Sequence, residues 1–242
     1  MEAKVSLSAA VLLVTSGRPE LTHALQSLWS QTYPVTTYVV TDAVMGEDEF
    51  EFIKTYLKGN NTHFCYWPTK IGGVGWEGRR LIAAMPSLIN EDVTFVLQDD
   101  DWFKPDHVAS LMKIIEDGHD WAYSLMSVYD KDGSFLLDDV CECLGEEHPA
   151  WNTGETFAPT GSIAMRTALF RGLAVSAYNH EGYGPDRTFY NLAKQVYPKF
   201  KGSKKHTHCF RLGGNDGSSN LAFFERGNQL MREKYPNGMP WA

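Results

Sequence analysis

The chain has 242 residues, of which 43% are hydrophobic and 13% aromatic, with a formal net charge of −8. That length suffices for one large domain with a substantial core, and no window approaches the roughly 18 consecutive apolar residues of a membrane span. An acidic total leaves only a local patch as a means of attracting a polyanion. The four cysteines, Cys65, Cys141, Cys143 and Cys209, have neither disulfide-scaffold density nor zinc-knuckle pairing, so a reduced, cytoplasmic setting is expected.

The opening apolar run is read as a first strand, Ala9 to Val14, not as a leader. Pro19 then suits the first turn of a helix in which Leu21, Ala24, Leu25 and Leu28 recur at helical spacing. Further strands are expected at Thr37 to Val40, His63 to Trp67 and Val93 to Leu97. Helices are expected around Phe50, Ile53 and Leu57, around Leu81, Ile82, Met85 and Leu88, and around Val108, Leu111, Met112 and Ile115. Strands alternating with helices predict an α/β protein with a mainly parallel sheet. Beyond about residue 120 the pattern changes to a hairpin, Trp121 to Tyr129 and Ser134 to Leu137, about a Lys131-Asp132-Gly133 turn. An irregular stretch from Cys141 to Thr160, a short helix near Arg166 to Leu173, a helix from Asp186 to Gln195 and a Gly-, Asn- and Ser-rich tail complete the reading. One domain is expected, its halves 1–118 and 119–242.

The fourth strand runs into Asp99, Asp100 and Asp101, followed by Trp102, Phe103 and Pro105. Adjacent carboxylates repel one another unless something positive sits among them, and in a parallel α/β sheet ligands bind beyond the carboxyl ends of the strands. A bound cation is the natural occupant. Strict alternation would put Asp99 and Asp101 on one side and Asp100 on the other.

Three segments carry a resemblance. "VLLVTSGRPELTHALQSLWSQTYP", "TTYVVTDAVMGEDEF" and "FVLQDDDWFKPDHVASLM" resemble the first, second and fourth strand regions of the family 2 glycosyltransferases, which have the Rossmann-like GT-A nucleotide-sugar fold. The similarity covers the first half well and the second half loosely, and it implies a mainly parallel sheet with a smaller antiparallel lobe on the acceptor side. It also implies a nucleotide-sugar donor, a UDP-sugar in the commonest case, and a divalent metal, Mn²⁺ or Mg²⁺, that offsets the charge of the departing diphosphate. On this match Asp100 takes the place of the metal ligand, Gln98 stands where the first acid of the Asp-x-Asp motif is usual, and Asp99 lies near the ribose or the metal's water. Asp186, in "NHEGYGPDRTFYNL", takes the place of the general base of inverting members, although Pro185 replaces the usual preceding Glu; Glu181 is the alternative, and an N-cap aspartate is the plain structural reading. His208, at the end of a late strand in "KKHTHCFRL", corresponds to a histidine that completes the metal shell in several relatives, with His206 on its face by alternation.

The remaining donor-site candidates are Thr15 and Arg18 in the first strand-to-helix turn, Asp42 with Thr41 in its partner's place, and Arg79 with Arg80 after the glycine-rich "KIGGVGWEG". Gly161 and Ser162 resemble the segment that approaches donor sugar and acceptor. Trp102 and Trp151 offer aromatic faces for a sugar or base. Sugar nucleotidyltransferases place their glycine-rich loop after the first strand, where this chain has "TSGRPE", and phosphatases place their acid pair there; neither order fits. A non-catalytic sugar-binding module remains an alternative.

From Arg187 to Arg211 the chain has seven basic residues and no acid. A solvated basic face is one reading. The other is an anion site beside the proposed base, hence a phosphate-bearing acceptor such as hydroxymethylated pyrimidine in phage DNA, with the host cytoplasm as its setting. A glycan or a lipid-linked saccharide is the alternative acceptor.

Overall fold

The structure, a computed structural model, describes residues 6–41, 47–58, 60–67, 69, 71, 78–178, 184–213 and 219–239, with the backbone alone for 47–50. The first half supplies β1 (Ala9–Thr15), α1 (Leu21–Trp29), β2 (Val35–Thr41), α2 (Glu47–Tyr56), β3 (Thr62–Cys65), α3 (Arg79–Ala84), β4 (Val93–Gln98), β5 (Trp102–Phe103) and α4 (His107–Glu116). The second supplies β6 (Trp121–Tyr129), β7 (Phe135–Asp138), β8 (Gly145–Pro149), β9 (Thr156–Phe157), β10 (Ile163–Arg166), α5 (Thr167–Tyr178), α6 (Pro185–Val196), β11 (Phe200–Arg211) and α7 (Leu221–Lys234). A 3-10 turn, Met85–Leu88, prolongs α3, and another, Thr160–Ser162, precedes β10.

The main sheet runs β3-β2-β1-β4-β10-β6-β11-β5, with β7 hydrogen-bonded to β6. β3, β2, β1 and β4 are parallel, as are β6 and β11, while β10 is antiparallel to both neighbours. β1 is buried along its whole length, as expected of a parallel strand covered on both faces. Its alternating side chains divide between two cores. Ala9, Val11 and Leu13 face α1, α2 and α4, whereas Ala10, Leu12 and Val14 face a larger core shared with α3, α5, α6 and α7. Among the described residues no helix is long and apolar enough to cross a membrane.

Several expectations change. The short helix near Arg166 to Leu173 runs from Thr167 to Tyr178 and follows a strand, β10, that the sequence reading missed. Four residues are too few for periodicity to separate a buried strand from the helix after it. The stretch from Cys141 to Thr160 contains the antiparallel pair β8 and β9. Its entry turn is organised by the buried carboxylate of Asp139, which accepts from the backbone N–H groups of Cys141, Glu142 and Cys143. The Gly-, Asn- and Ser-rich tail contains α7, in which Gly227 and Asn228 serve packing. A Cβ at Gly227 would lie 2.5 Å from Cys141 Sγ, and buried Asn228 bonds the backbone of Val140 and Asp138. Pro19 lies before α1, not in its first turn, with Glu20 at the N-cap.

Candidate active site

β1 and β4 pair in register, Val14 opposite Gln98, so the residues that follow each strand meet at its carboxyl end. There the Thr15 hydroxyl and the Ser16 N–H donate to Asp99 Oδ2 at 2.7 and 2.9 Å. The Arg18 guanidinium reaches past it to Asp100 Oδ2 at 2.5 Å. Asp101 points the other way: its Oδ1 accepts from the Arg211 backbone N–H at 2.9 Å, and its Oδ2 lies 3.2 Å from His208 Nε2. The strand ends at Gln98, so alternation does not persist, and each carboxylate has a different set of partners.

All three aspartates are only 5–6% exposed, so repulsion among them is poorly screened. Burial first, then the charge of Asp101 and that of Asp99, push the Asp100 carboxyl up to about 6 against the opposing pull of Arg18. Among the described residues the Arg18 guanidinium pairs with Asp99 and Asp100 while that of Arg211 bonds backbone carbonyls, and oxygen donors suit a hard divalent cation. Among the described residues no three His, Cys, Asp or Glu side chains converge on one point.

β11 brings in the opposite wall. Its antiparallel pairing with β5 sets His208 beside Phe103. His208 is 2% exposed, and both ring nitrogens are engaged, Nε2 with Asp101 and Nδ1 with the Ser162 hydroxyl at 3.0 Å. With Asp101 as a carboxylate, the hydrogen of that contact belongs to Nε2. His206 does not share this face: register shifts on either side of it turn its Nε2 towards the Asp139 carbonyl.

The 3-10 turn joins this wall to Asp186. Gly161 lies so close over the imidazole that a Cβ would be 2.6 Å from His208 Cε1 and Nε2. Thr160 Oγ1 donates to Asp186 Oδ1 at 2.9 Å and also hydrogen-bonds the buried Tyr178 hydroxyl. Asp186 is not an N-cap: Gly184, at φ 80°, holds that position and Pro185 begins the helix. The turn thus connects Asp186 to the aspartate cluster through hydrogen bonds.

Other candidates are placed differently. Arg79 is buried in the first turn of α3, where its charge acts on Tyr178. Asp42, Glu181 and residues 72–77 of the glycine-rich stretch lie outside the described residues. Trp102 is covered by His23, stacked at 4.5 Å, by Tyr129 and by the Arg211 guanidinium, so its faces do not serve a sugar. Trp151 packs on Phe223 and α7. The acid-free stretch is partly compensated in space, with Arg187 on Glu142, Lys204 on Glu147 and Lys205 on Asp106. Arg211, counted in the sequence only as a charge, also ties the turn together by donating to the carbonyls of Asp100 and Lys131. No local pattern marks it.

No protein-family model and no curated protein matches the sequence. Solved structures do. The chain superposes on S. aureus TarS 1-349 in complex with UDP-GlcNAc with a TM-score of 0.66 at 17% identity, over 96% of this chain and 67% of that one. The TarS 1-349 complex with UDP gives 0.64 at 16% identity over 96% and 66%. GalNAc-T7 with UDP, GalNAc and Mn²⁺ gives 0.63 at 15% identity over 97% and 50%. The chain has a GT-A-like glycosyltransferase fold. It spans at most about two thirds of the length of these proteins.

Proposed function

We propose that the chain transfers a sugar from a nucleotide-diphosphate donor, UDP-linked in the first instance, to an acceptor hydroxyl with inversion at the anomeric carbon. The observation that carries this reading is the turn Thr160–Ser162, which holds Asp186 at one end and His208, partner of Asp101, at the other. A cluster suited to a diphosphate and its cation thereby shares a site with a carboxylate suited to a base. The neighbours in the same fold were solved with UDP and a UDP-sugar, which supports the donor class.

In this mechanism Asp186 takes the proton of the acceptor hydroxyl as its oxygen forms the bond to the anomeric carbon. The bond from that carbon to the diphosphate oxygen breaks, and its electron pair leaves with the nucleotide. Thr15 and Ser16 orient Asp99 towards the ribose, and Arg18 faces the diphosphate. Asp100 is the residue that would hold Mn²⁺ or Mg²⁺, whose contribution when bound is to offset the charge on the departing diphosphate. His208 could join the ion only by giving up its Nε2 contact with Asp101. Residues 1–118 serve the donor, and residues 119–242 supply the base and the acceptor side.

For the acceptor, the exposure of Lys201, Lys204 and Lys205 on β11 favours a phosphate-bearing molecule, with hydroxymethylated pyrimidine in phage DNA as the specific case. Surface ion pairs such as Lys205 with Asp106 are worth only about 0–1 kcal/mol, so these lysines exchange partners readily. The test measures UDP release from UDP-GlcNAc, UDP-GalNAc and UDP-glucose with Mn²⁺ or Mg²⁺, alone and with glycan or hydroxymethylated-DNA acceptors. Asp186→Asn should bind donor and lose transfer, and EDTA should stop release. Transfer that survives both changes refutes the mechanism. Acceptor use unchanged by neutralising Lys204 and Lys205 refutes the phosphate reading.

A further inference from the structure

We infer that Thr160 and Tyr178 are positioning residues for Asp186, forming a directional hydrogen-bond chain that fixes its carboxylate plane and keeps it ionised. The inference rests on the base reading above and extends it to two residues that contribute no charge to the site.

The direction follows from hydrogen counting. A carboxylate oxygen only accepts, so the contact at 2.9 Å between Thr160 Oγ1 and Asp186 Oδ1 uses the single hydroxyl hydrogen of Thr160. The hydrogen bond between Thr160 Oγ1 and the Tyr178 hydroxyl must then be donated by Tyr178. Tyr178 keeps that proton: it is 1% exposed, and burial, assisted by the Asp186 charge, pushes its phenol well above the ordinary range. The chain Tyr178 to Thr160 to Asp186 therefore runs one way.

Each member is held by a different element. Thr160 begins the 3-10 turn that Ser162 and Gly161 anchor on His208. Tyr178 is the last residue of α5, its ring 5.5 Å from that of Phe189 on α6. Asp186 lies in the first turn of α6. Two helices and the turn thus converge on one carboxylate. A hydrogen bond to the charged form of an acid lowers its pKa, and hydrogen-bonded neighbours in a low-dielectric site polarise one another. The chain stabilises the ionised base and commits Oδ1 to the protein.

The test uses the full chain labelled with ¹³C at the aspartate γ-carbon, with the Asp186 resonance assigned through Asp186→Asn. Removing the hydroxyl in Thr160→Val should raise the titration midpoint of Asp186 by about one pH unit. Tyr178→Phe, which keeps the ring against Phe189, should raise it by less, and Thr160→Ser should restore it. UDP release from UDP-GlcNAc with Mn²⁺ should slow about tenfold in Thr160→Val, with the donor KM within about twofold, as misplacement of a catalytic group does. Matching thermal midpoints identify the variants that remain folded, and Tyr178→Phe carries the test if Thr160→Val does not fold. An Asp186 midpoint unmoved in the folded variants overturns the positioning role. UDP release at the wild-type rate in Asp186→Asn overturns the base assignment instead, whatever the midpoints do.

Discussion

His208 Nε2 lies 3.2 Å from Asp101 Oδ2, and the same imidazole meets the Ser162 hydroxyl through Nδ1. The histidine that resembled a metal ligand thus holds the third aspartate of the cluster, leaving Asp100 opposite Arg18 as the carboxylate nearest an unbalanced charge. His208→Ala removes a donor from a buried carboxylate and should destabilise the protein by about 1–3 kcal/mol in urea unfolding. His208→Gln, whose amide can donate, should recover part of that. An Mn²⁺ affinity unchanged in both variants assigns His208 to Asp101 alone, whereas a loss common to both makes it a ligand.

Asp100 sets a pH dependence. Its carboxyl is raised in the folded state to about 6, chiefly by burial, from 3.8. The folded protein therefore binds more protons than the unfolded chain between those values, and stability falls as pH rises through that window. The loss is complete above about 6 and is on the order of 3 kcal/mol for a shift of this size. Asp100→Asn should flatten the curve and raise the melting temperature at pH 7.5 without metal. Added Mn²⁺ should stabilise the native protein at that pH and not the variant. A variant that melts below the native protein at pH 7.5 contradicts the charge imbalance.

Gly161→Ala tests the close approach to His208. The ring it would strike is buried and tied at both nitrogens, so it cannot swing aside, and the 3-10 turn must shift. Overpacking of this kind costs about 1–3 kcal/mol. Because the turn also carries Thr160, UDP release should fall with stability, and release at the native rate would show that the turn can shift without disturbing Asp186.

Gly78→Ala probes the entry to α3. The residue sits at φ 72°, and a Cβ there would be 2.4 Å from Val14 Cγ1 at the end of β1. Left-handed backbone costs a non-glycine residue about 1–2 kcal/mol, and the clash adds to it. The urea midpoint should drop while the slope of the transition stays the same; an unchanged midpoint would mean that α3 is free to move away from β1.

Much of the first half is legible because β1 and β4 are buried on both faces and its helices on one. Leu21, Ala24, Leu25 and Leu28 are all buried in α1, as their spacing predicts, and so are Val108, Leu111, Met112 and Ile115 in α4. In the second half β6 and α6 follow the same rule, but other elements do not. β10 is central to the sheet yet four residues long, and α7 owes its place to Gly227 and Asn228, which disfavour a helix until Cys141, Trp151 and the backbone of Val140 surround them.

The sequence by itself determined the alternation of strands and helices, and it placed three carboxylates at the end of β4, because both depend on neighbours along the chain. Which carboxylate does what was decided by the tertiary structure. The partners that tell the aspartates apart are distant: Thr15 is 84 residues from Asp99, Arg18 is 82 from Asp100, and His208 and Arg211 are 107 and 110 from Asp101. Coulomb and hydrogen-bond energies fall off within a few ångströms in space. Only the register of β1 against β4, and of β11 against β5, brings those groups within range.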